Sequence, residues 1–241
     1  MNTDAMPADV LLRPATAEDL GVLADVHLSS RSAAGPAFPP GVHTPDEVRD
    51  WVAGWDLATY DVWVAVVLDR VVGYARCTPT WLDDLYVLPG AQGRGIGSAL
   101  LDRVKSERPD GFGLWVFETN GPARCFYACH GFVELERTDG SANEEQSPDI
   151  KMVWPGNEPL ACFRSMIDDV DLVLGDVLAR RTALTRAVQA VKPSTQRDSV
   201  REAEIARRVA AVAPELGEER VARIVDAIIT EALDAARQPP R

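Results

Sequence analysis

Residues 82–101 read LDDLYVLPGAQGRGIGSALL, and this stretch decides the fold. The apolar run Leu85-Tyr86-Val87-Leu88 meets Pro89-Gly90, glycines follow at 93, 95 and 97, and Ser98-Ala99-Leu100-Leu101 opens a helical pattern. The order is strand, tight turn, helix N-terminus. Glycine adopts at such a turn a backbone that other residues avoid, and the exposed N–H groups at a helix start favour an anion. A pyrophosphate cradle and an ordinary strand-to-helix connection both fit. The spacing is not G-x-G-x-x-G and no Lys-Ser/Thr follows, so the dinucleotide and P-loop readings fail.

What stands is Gln92-x-x-Gly95-x-Gly97 directly after a strand. This resembles the acetyl-coenzyme A signature of the GNAT acetyltransferase superfamily, and the resemblance extends from about residue 11 to 154. It implies acetyl-CoA as cofactor. Gln92 and the loop through Gly93, Arg94, Gly95, Ile96, Gly97 and Ser98 would hold the pyrophosphate, while Leu85 and Val87 on a splayed strand would pair with the pantetheine arm. Residues 120–132, NGPARCFYACHGF, resemble the second signature of that family. The resemblance makes Asn120 a pantetheine contact, sets Phe126 at the cofactor, and makes Tyr127 the general acid that reprotonates the coenzyme A thiolate. A phenol suits that task within hydrogen-bond reach of the sulfur. Tyr127 merely packed beside Phe126 is the structural alternative.

Acetyl transfer also needs a neutral amine, hence a base. Asp83 and Asp84 open the central strand, where carboxylates are otherwise disfavoured, and successive residues point to opposite faces. Asp83 shares a face with Leu85 and Val87 unless a bulge reverses the assignment. Glu118 on the neighbouring strand is the third candidate, and each of the three could equally be a solvated or ion-paired acid. Trp51, Trp55 and Trp81, with Asn143-Glu144-Glu145, are candidates to line the acceptor pocket or to serve core and loop.

Around these motifs the periodicity predicts strands at 10–13, 61–68, 71–78, 82–88, 112–119, 131–137 and 149–154. A hairpin is expected at Asp69-Arg70. Thr16 with Asp19, and Thr44-Pro45-Asp46-Glu47, read as helix starts. Further helices are expected at 96–107 and 122–130. The result is a mixed sheet with helices on both sides, the α/β fold that the GNAT resemblance implies.

Composition bounds the partners. The chain of 241 residues carries net charge −12; up to Gly156 there are 12 basic and 23 acidic residues, and beyond it 13 and 14. An acidic first part argues against nucleic acid and leans toward a small or cationic acceptor. Cys77, Cys125, Cys129 and Cys162 show no metal spacing with histidines and read as free buried thiols. No signal peptide or long apolar segment is legible, so a cytoplasmic protein without membrane contact is expected.

Composition shifts at Pro155-Gly156-Asn157, which separates an expected domain at 1–156 from a second at 160–241. From 161 to 192 an apolar ridge runs Ile167, Val170, Leu174, Val177, Leu184, Val188, Val191. A helix of about 30 residues cannot bury that stripe on two short companions, which suggests an intertwined homodimer. Arg164, Arg181 and Lys192 lie beside the ridge. Asp198 or Ser199 caps a second helix to about 212, and a third carries Val221, Ile224, Ile228 and Leu233.

Over about 163–237 this segment resembles the small all-helical chorismate mutases, an all-α three-helix fold of interlocked dimers. Arg164, Arg181, Lys192, Asp198, Arg201 and Glu202 fall at that family's substrate-binding positions, which implies a chorismate-like dicarboxylate as ligand. Arginines suit carboxylates, and a lysine suits the ether oxygen as charge develops. Ala232 and Ala236 stand where the family has a serine and a glutamine or glutamate, which leaves mutase activity open. An amino-chorismate mutase, an isochorismate lyase and a non-catalytic dimerisation or sensing module remain alternatives. An aromatic amine made downstream of chorismate is an acetyl acceptor that only the fusion suggests.

Overall fold

The computed structural model describes residues 9–191 and 197–237. Contacts group the chain into two compact units, Met1–Phe163 and Arg164–Arg241.

The first unit begins with β1 (Val10–Pro14) and α1 (Leu20–Ala33), followed by α2 (Pro45–Ala53). Both expected helix starts carry a capping box: Thr16 with Asp19, and Thr44 with Glu47. Strands β2 (Asp61–Val67), β3 (Arg70–Cys77) and β4 (Leu82–Val87) follow, then α3 (Ile96–Glu107) and β5 (Phe112–Phe117). α4 (Gly121–Cys129), β6 (Val133–Arg137) and β7 (Asp149–Trp154) complete the unit. The hairpin turn falls at Leu68-Asp69, one residue earlier than expected, with φ of 47° and 58°. Left-handed backbone at both central residues matches the twist of the flanking strands.

The strands form a four-stranded antiparallel sheet β1-β2-β3-β4 and a three-stranded sheet β5-β7-β6. One parallel bridge, Trp81 to Gly113, joins β4 to β5 at the start of both strands. A Cβ at Gly113 would stand 2.9 Å from the Trp81 ring, so glycine is what allows this approach. Beyond the bridge no ladder joins the two strands among the described residues, and the gap between them opens the site. Leu100, Leu101 and Val104 of α3 share one core with Ala65 and Ala75 of the first sheet and with Leu114 and Ile150 of the second; Leu23, Val26 and Val52 share the other with Val64 and Tyr74.

The cysteines depart from expectation. Cys77 alone is buried; Cys125 and Cys129 are exposed and Cys162 is half-buried. Two residues turn an α-helix by about 200°, so positions 125 and 129 both face away from the buried Tyr127.

The second unit takes most of α5 (Pro159–Val191), with α6 (Ser199–Val212) and α7 (Glu218–Arg237). No residue of α5 is buried, and the whole expected ridge from Ile167 to Val191 is exposed. α7 buries Val221, Val225, Ile229 and Ala232 rather than Ile224 and Ile228, with Ala210 of α6 in the same cluster as the first three. The helix carries two apolar stripes, and α6 covers the one displaced by a single position. Among the described residues no helix is long and apolar enough to cross a membrane.

Candidate functional site

A cleft of about 1800 Å³ lies where β4 and β5 part, lined by α1, the loop before α2, Trp51, β4, the glycine turn, β5 and α4. Its floor follows from strand alternation. Leu88 N–H donates to Val72 O across β3 at 2.8 Å, so Leu85 and Val87 direct their backbone polar groups the other way, toward the gap. Val87 O accepts from Ser30 Oγ at 3.1 Å and from Gln92 Nε2 at 2.9 Å. Gln92 thus fastens the turn to the end of its own strand.

The turn has the geometry that its glycines allow. Gly93 and Gly95 sit at φ 70° and 75°, and Gly95 is the N-cap of α3. Ala99 N–H donates to Gly95 O at 2.9 Å, so the N–H groups of Ile96, Gly97 and Ser98 are first-turn donors without a partner inside the helix. The Ile96 side chain is buried in the core, and Arg94 leans out toward Asp9 at 3.7 Å. Neither side chain faces the cleft; what they offer it is backbone. A Cβ at Gly97 would meet Phe126 at 3.6 Å, an ordinary contact.

From α4 come Asn120, Phe126 and Tyr127, all lining the cleft. Asn120 is buried, and its side chain accepts from Ala123 N–H as the helix cap. Tyr127 is buried beside Phe126, its ring centroid 5.2 Å away, and burial pushes its phenol well above the usual range. His130 ties this helix to the turn: Nδ1 lies 2.8 Å from Phe126 O and Nε2 lies 3.0 Å from Ser98 Oγ. A carbonyl only accepts, so Nδ1 carries a proton toward Phe126 O, and Nε2 shares a hydrogen bond with the serine hydroxyl.

The three acids part company. β4 bulges: Arg76 pairs with Asp84 and Cys77 with Leu82, leaving Asp83 the extra residue. Leu82, not Asp83, therefore packs into the core that Leu85 and Val87 adjoin. Asp83 stays exposed to the cleft, where desolvation and the Asp84 charge push its carboxyl up against the pull of Arg76. Asp84 is buried, with Oδ2 accepting from Arg76 Nε at 2.6 Å. Burial pushes its carboxyl up, and Arg76 draws it back. Glu118 accepts from Arg137 Nη1 at 2.9 Å and is not among the cleft residues.

In the second unit Asp198 caps α6, accepting from Arg201 N–H at 3.0 Å. Glu202 is held by Arg197 at 2.8 Å, and the same guanidinium reaches Asp226 at 2.5 Å. Arg181 Nη1 donates to Ile228 O at 3.4 Å, and Arg164 is exposed. Ala232 is buried. Lys192 lies outside the described residues.

Residues 58–134 match the family model described as an acetyltransferase (GNAT) domain, and residues 163–237 match that of chorismate mutase type II. The chain is a GNAT acetyltransferase domain followed by a chorismate mutase type II domain.

Solved structures support the fold of the GNAT domain. YjaB of Escherichia coli is 24% identical over 61% of this chain and 98% of its own, with a TM-score of 0.51. A GCN5-related N-acetyltransferase from Rhodopseudomonas palustris is 23% identical over 63% and 98%, with a TM-score of 0.53. No curated protein matches the chain.

Within the GNAT domain the sequence motifs converge on one cleft, but part of its lining carries no motif. His27 is buried, shares a hydrogen bond with Tyr74 OH at 3.0 Å, and has its imidazole pushed down to about 4, chiefly by desolvation. Arg31 reaches Glu145 at 2.9 Å and His43 reaches Glu144 at 2.8 Å, tying the last turn of α1 and the loop before α2 to the loop before β7. All three histidines of the chain touch the cleft or the turn, a signal that composition alone offered. Of the suggested acceptor residues, Trp51, Glu144 and Glu145 line the cleft; Trp55, Trp81 and Asn143 do not.

Proposed function

We propose that the GNAT domain transfers the acetyl group of acetyl-CoA to the nitrogen of a small amine. The observation that carries this reading is the left-handed turn at Gly93 and Gly95, which presents the first amides of α3 beside the open edge of β4. An anion suits that turn, and an extended amide-bearing arm suits the backbone groups of Leu85 and the N–H of Val87 that face the gap. Bound there, the thioester supplies an electrophilic acyl carbon and a thiolate leaving group.

Asp83 is the residue of choice to take the amine's proton, because Asp84 is engaged by Arg76 and Glu118 by Arg137. Its carboxyl, pushed above the ordinary carboxylate value by desolvation, is the more basic for it. Tyr127 returns a proton to sulfur as the C–S bond breaks. Its own raised pKa keeps the phenol protonated until then. The test is release of free coenzyme A by the full chain with acetyl-CoA and a panel of amines. Release with none of them contradicts the reading.

For the helical domain the reading is a homodimer whose shared pocket takes a chorismate-like dicarboxylate, Arg164 serving the partner's site. The exposed α5 ridge supports it, since so many apolar side chains facing water are costly without a second copy. Ala236 and the Arg197 clamp on Glu202 favour, as a second reading, a module that binds or dimerises without mutase chemistry. Prephenate formation from chorismate by the full chain separates the two. In the cell we take the protein to act in the cytoplasm.

A further inference from the structure

We infer that the acetyl acceptor is an arylalkylamine without an α-carboxylate, its ring laid on a strip of aromatic side chains in the cleft. This rests on the acetyltransferase reading and names the substrate class for it.

The strip is continuous. The Trp51 ring stands 5.7 Å from His27, His27 stands 4.6 Å from Tyr86, and Phe38 follows at 6.2 Å from Tyr86, with Phe117 5.8 Å beyond. All five line the cleft. Trp51 is 45% exposed, a large ring offered to whatever enters. Ring pairs at these separations stabilise one another, and a further aromatic group laid on them extends the series.

The charges around the strip select its partner. Glu47, Asp83, Asp84, Glu144 and Glu145 line the cleft, and Arg31 is the guanidinium among them. Arg31 is taken by Glu145 at 2.9 Å and stands 4.8 Å over the Phe38 ring. Arg76, whose charge also acts on Asp83, is hydrogen-bonded to Asp84. Asp83 makes no ion pair among the described residues. An ammonium therefore finds a carboxylate without an ion-pair partner. An α-carboxylate would find Arg31 engaged by Glu145 and His43 by Glu144, with acids on either side, which is repulsion that selects against amino acids. A polyamine would satisfy the acids but leave the strip uncovered.

The experiment uses the full chain at saturating acetyl-CoA and compares kcat/KM for 2-phenylethylamine, L-phenylalanine and spermidine by thiol release, with acetyl-CoA binding titrated in parallel. The expected result is a preference for 2-phenylethylamine over L-phenylalanine of roughly a hundredfold or more. Trp51→Ala should raise its KM about tenfold with acetyl-CoA affinity unchanged. Acetyl-CoA binding with L-phenylalanine or spermidine preferred, or with Trp51→Ala inert, overturns this inference and leaves the transferase reading standing. Failure to bind acetyl-CoA overturns both.

Discussion

Arg76 Nε lies 2.6 Å from Asp84 Oδ2, and the guanidinium carbon stands 5.1, 4.7 and 4.9 Å from the ring centres of Trp51, Trp55 and Tyr60. A nearly buried ion pair is thus held inside a ring of aromatic side chains, next to the bulge that turns Asp83 into the cleft. Removing one partner leaves the other charge buried and unpaired. Arg76→Leu should destabilise the GNAT domain by about 3–5 kcal/mol, and the double variant Arg76→Leu/Asp84→Leu should recover most of that loss. All six tryptophans lie between residues 51 and 154, so fluorescence-detected urea unfolding reports this domain alone.

Tyr127→Phe removes a proton donor needed as the thiolate leaves, with little change in volume. Turnover should fall by about a hundredfold or more while acetyl-CoA affinity stays within a few-fold. Steady-state kinetics with an accepted amine, beside a binding titration, check it. Unchanged turnover would leave Tyr127 a packing residue.

These two sites show what the chain order makes legible. The strand, turn and helix at 82–101 can be read because each of their signals is local: an apolar run, glycines at fixed offsets, a helix opening. Helix α3 falls on the expected residues for that reason. Asp198 and Thr44 are legible as caps because a cap bonds an amide only three residues on. The bulge at Asp83 is settled by pairing with β3, which sequence spacing does not carry. His27 reads as an ordinary helix residue until Tyr74, 47 positions away, is placed against it. Cys125 and Cys129 are exposed against expectation because burial of a nine-residue helix depends on which side meets the sheet.

His27 gives the GNAT domain a pH dependence whose sign is fixed. Its pKa falls from 6.5 to about 4 on folding, so between these values the unfolded chain binds the extra proton. Stability should therefore be full above pH 6.5 and decline as pH falls toward 4, by at most about 3 kcal/mol from this group. His27→Gln should lose that part of the slope in urea titrations at pH 7, 6, 5 and 4. Identical slopes in both proteins would contradict the assignment.

The exposed ridge of α5 predicts the assembly. Leu174 and Val177, 48% and 49% exposed, lie in its middle. If a second copy covers them, the wild-type chain should sediment as a dimer and Leu174→Glu as a monomer, with the helical content of each unchanged. A monomeric wild type would remove the shared pocket and Arg164's role in it.

The central claim is that the turn at Gly93–Gly97 holds the acetyl donor, and calorimetric titration of acetyl-CoA into the full chain tests it most directly. At Gly95, φ is 75°, a conformation that a β-branched residue adopts only under strain, and the amides that would meet the pyrophosphate follow immediately. The account predicts one saturable site per chain in the wild type and a loss of affinity of about a hundredfold or more in Gly95→Val, with the far-ultraviolet spectrum retained. Wild-type affinity in a folded Gly95→Val protein, or no binding to the wild type, would contradict it.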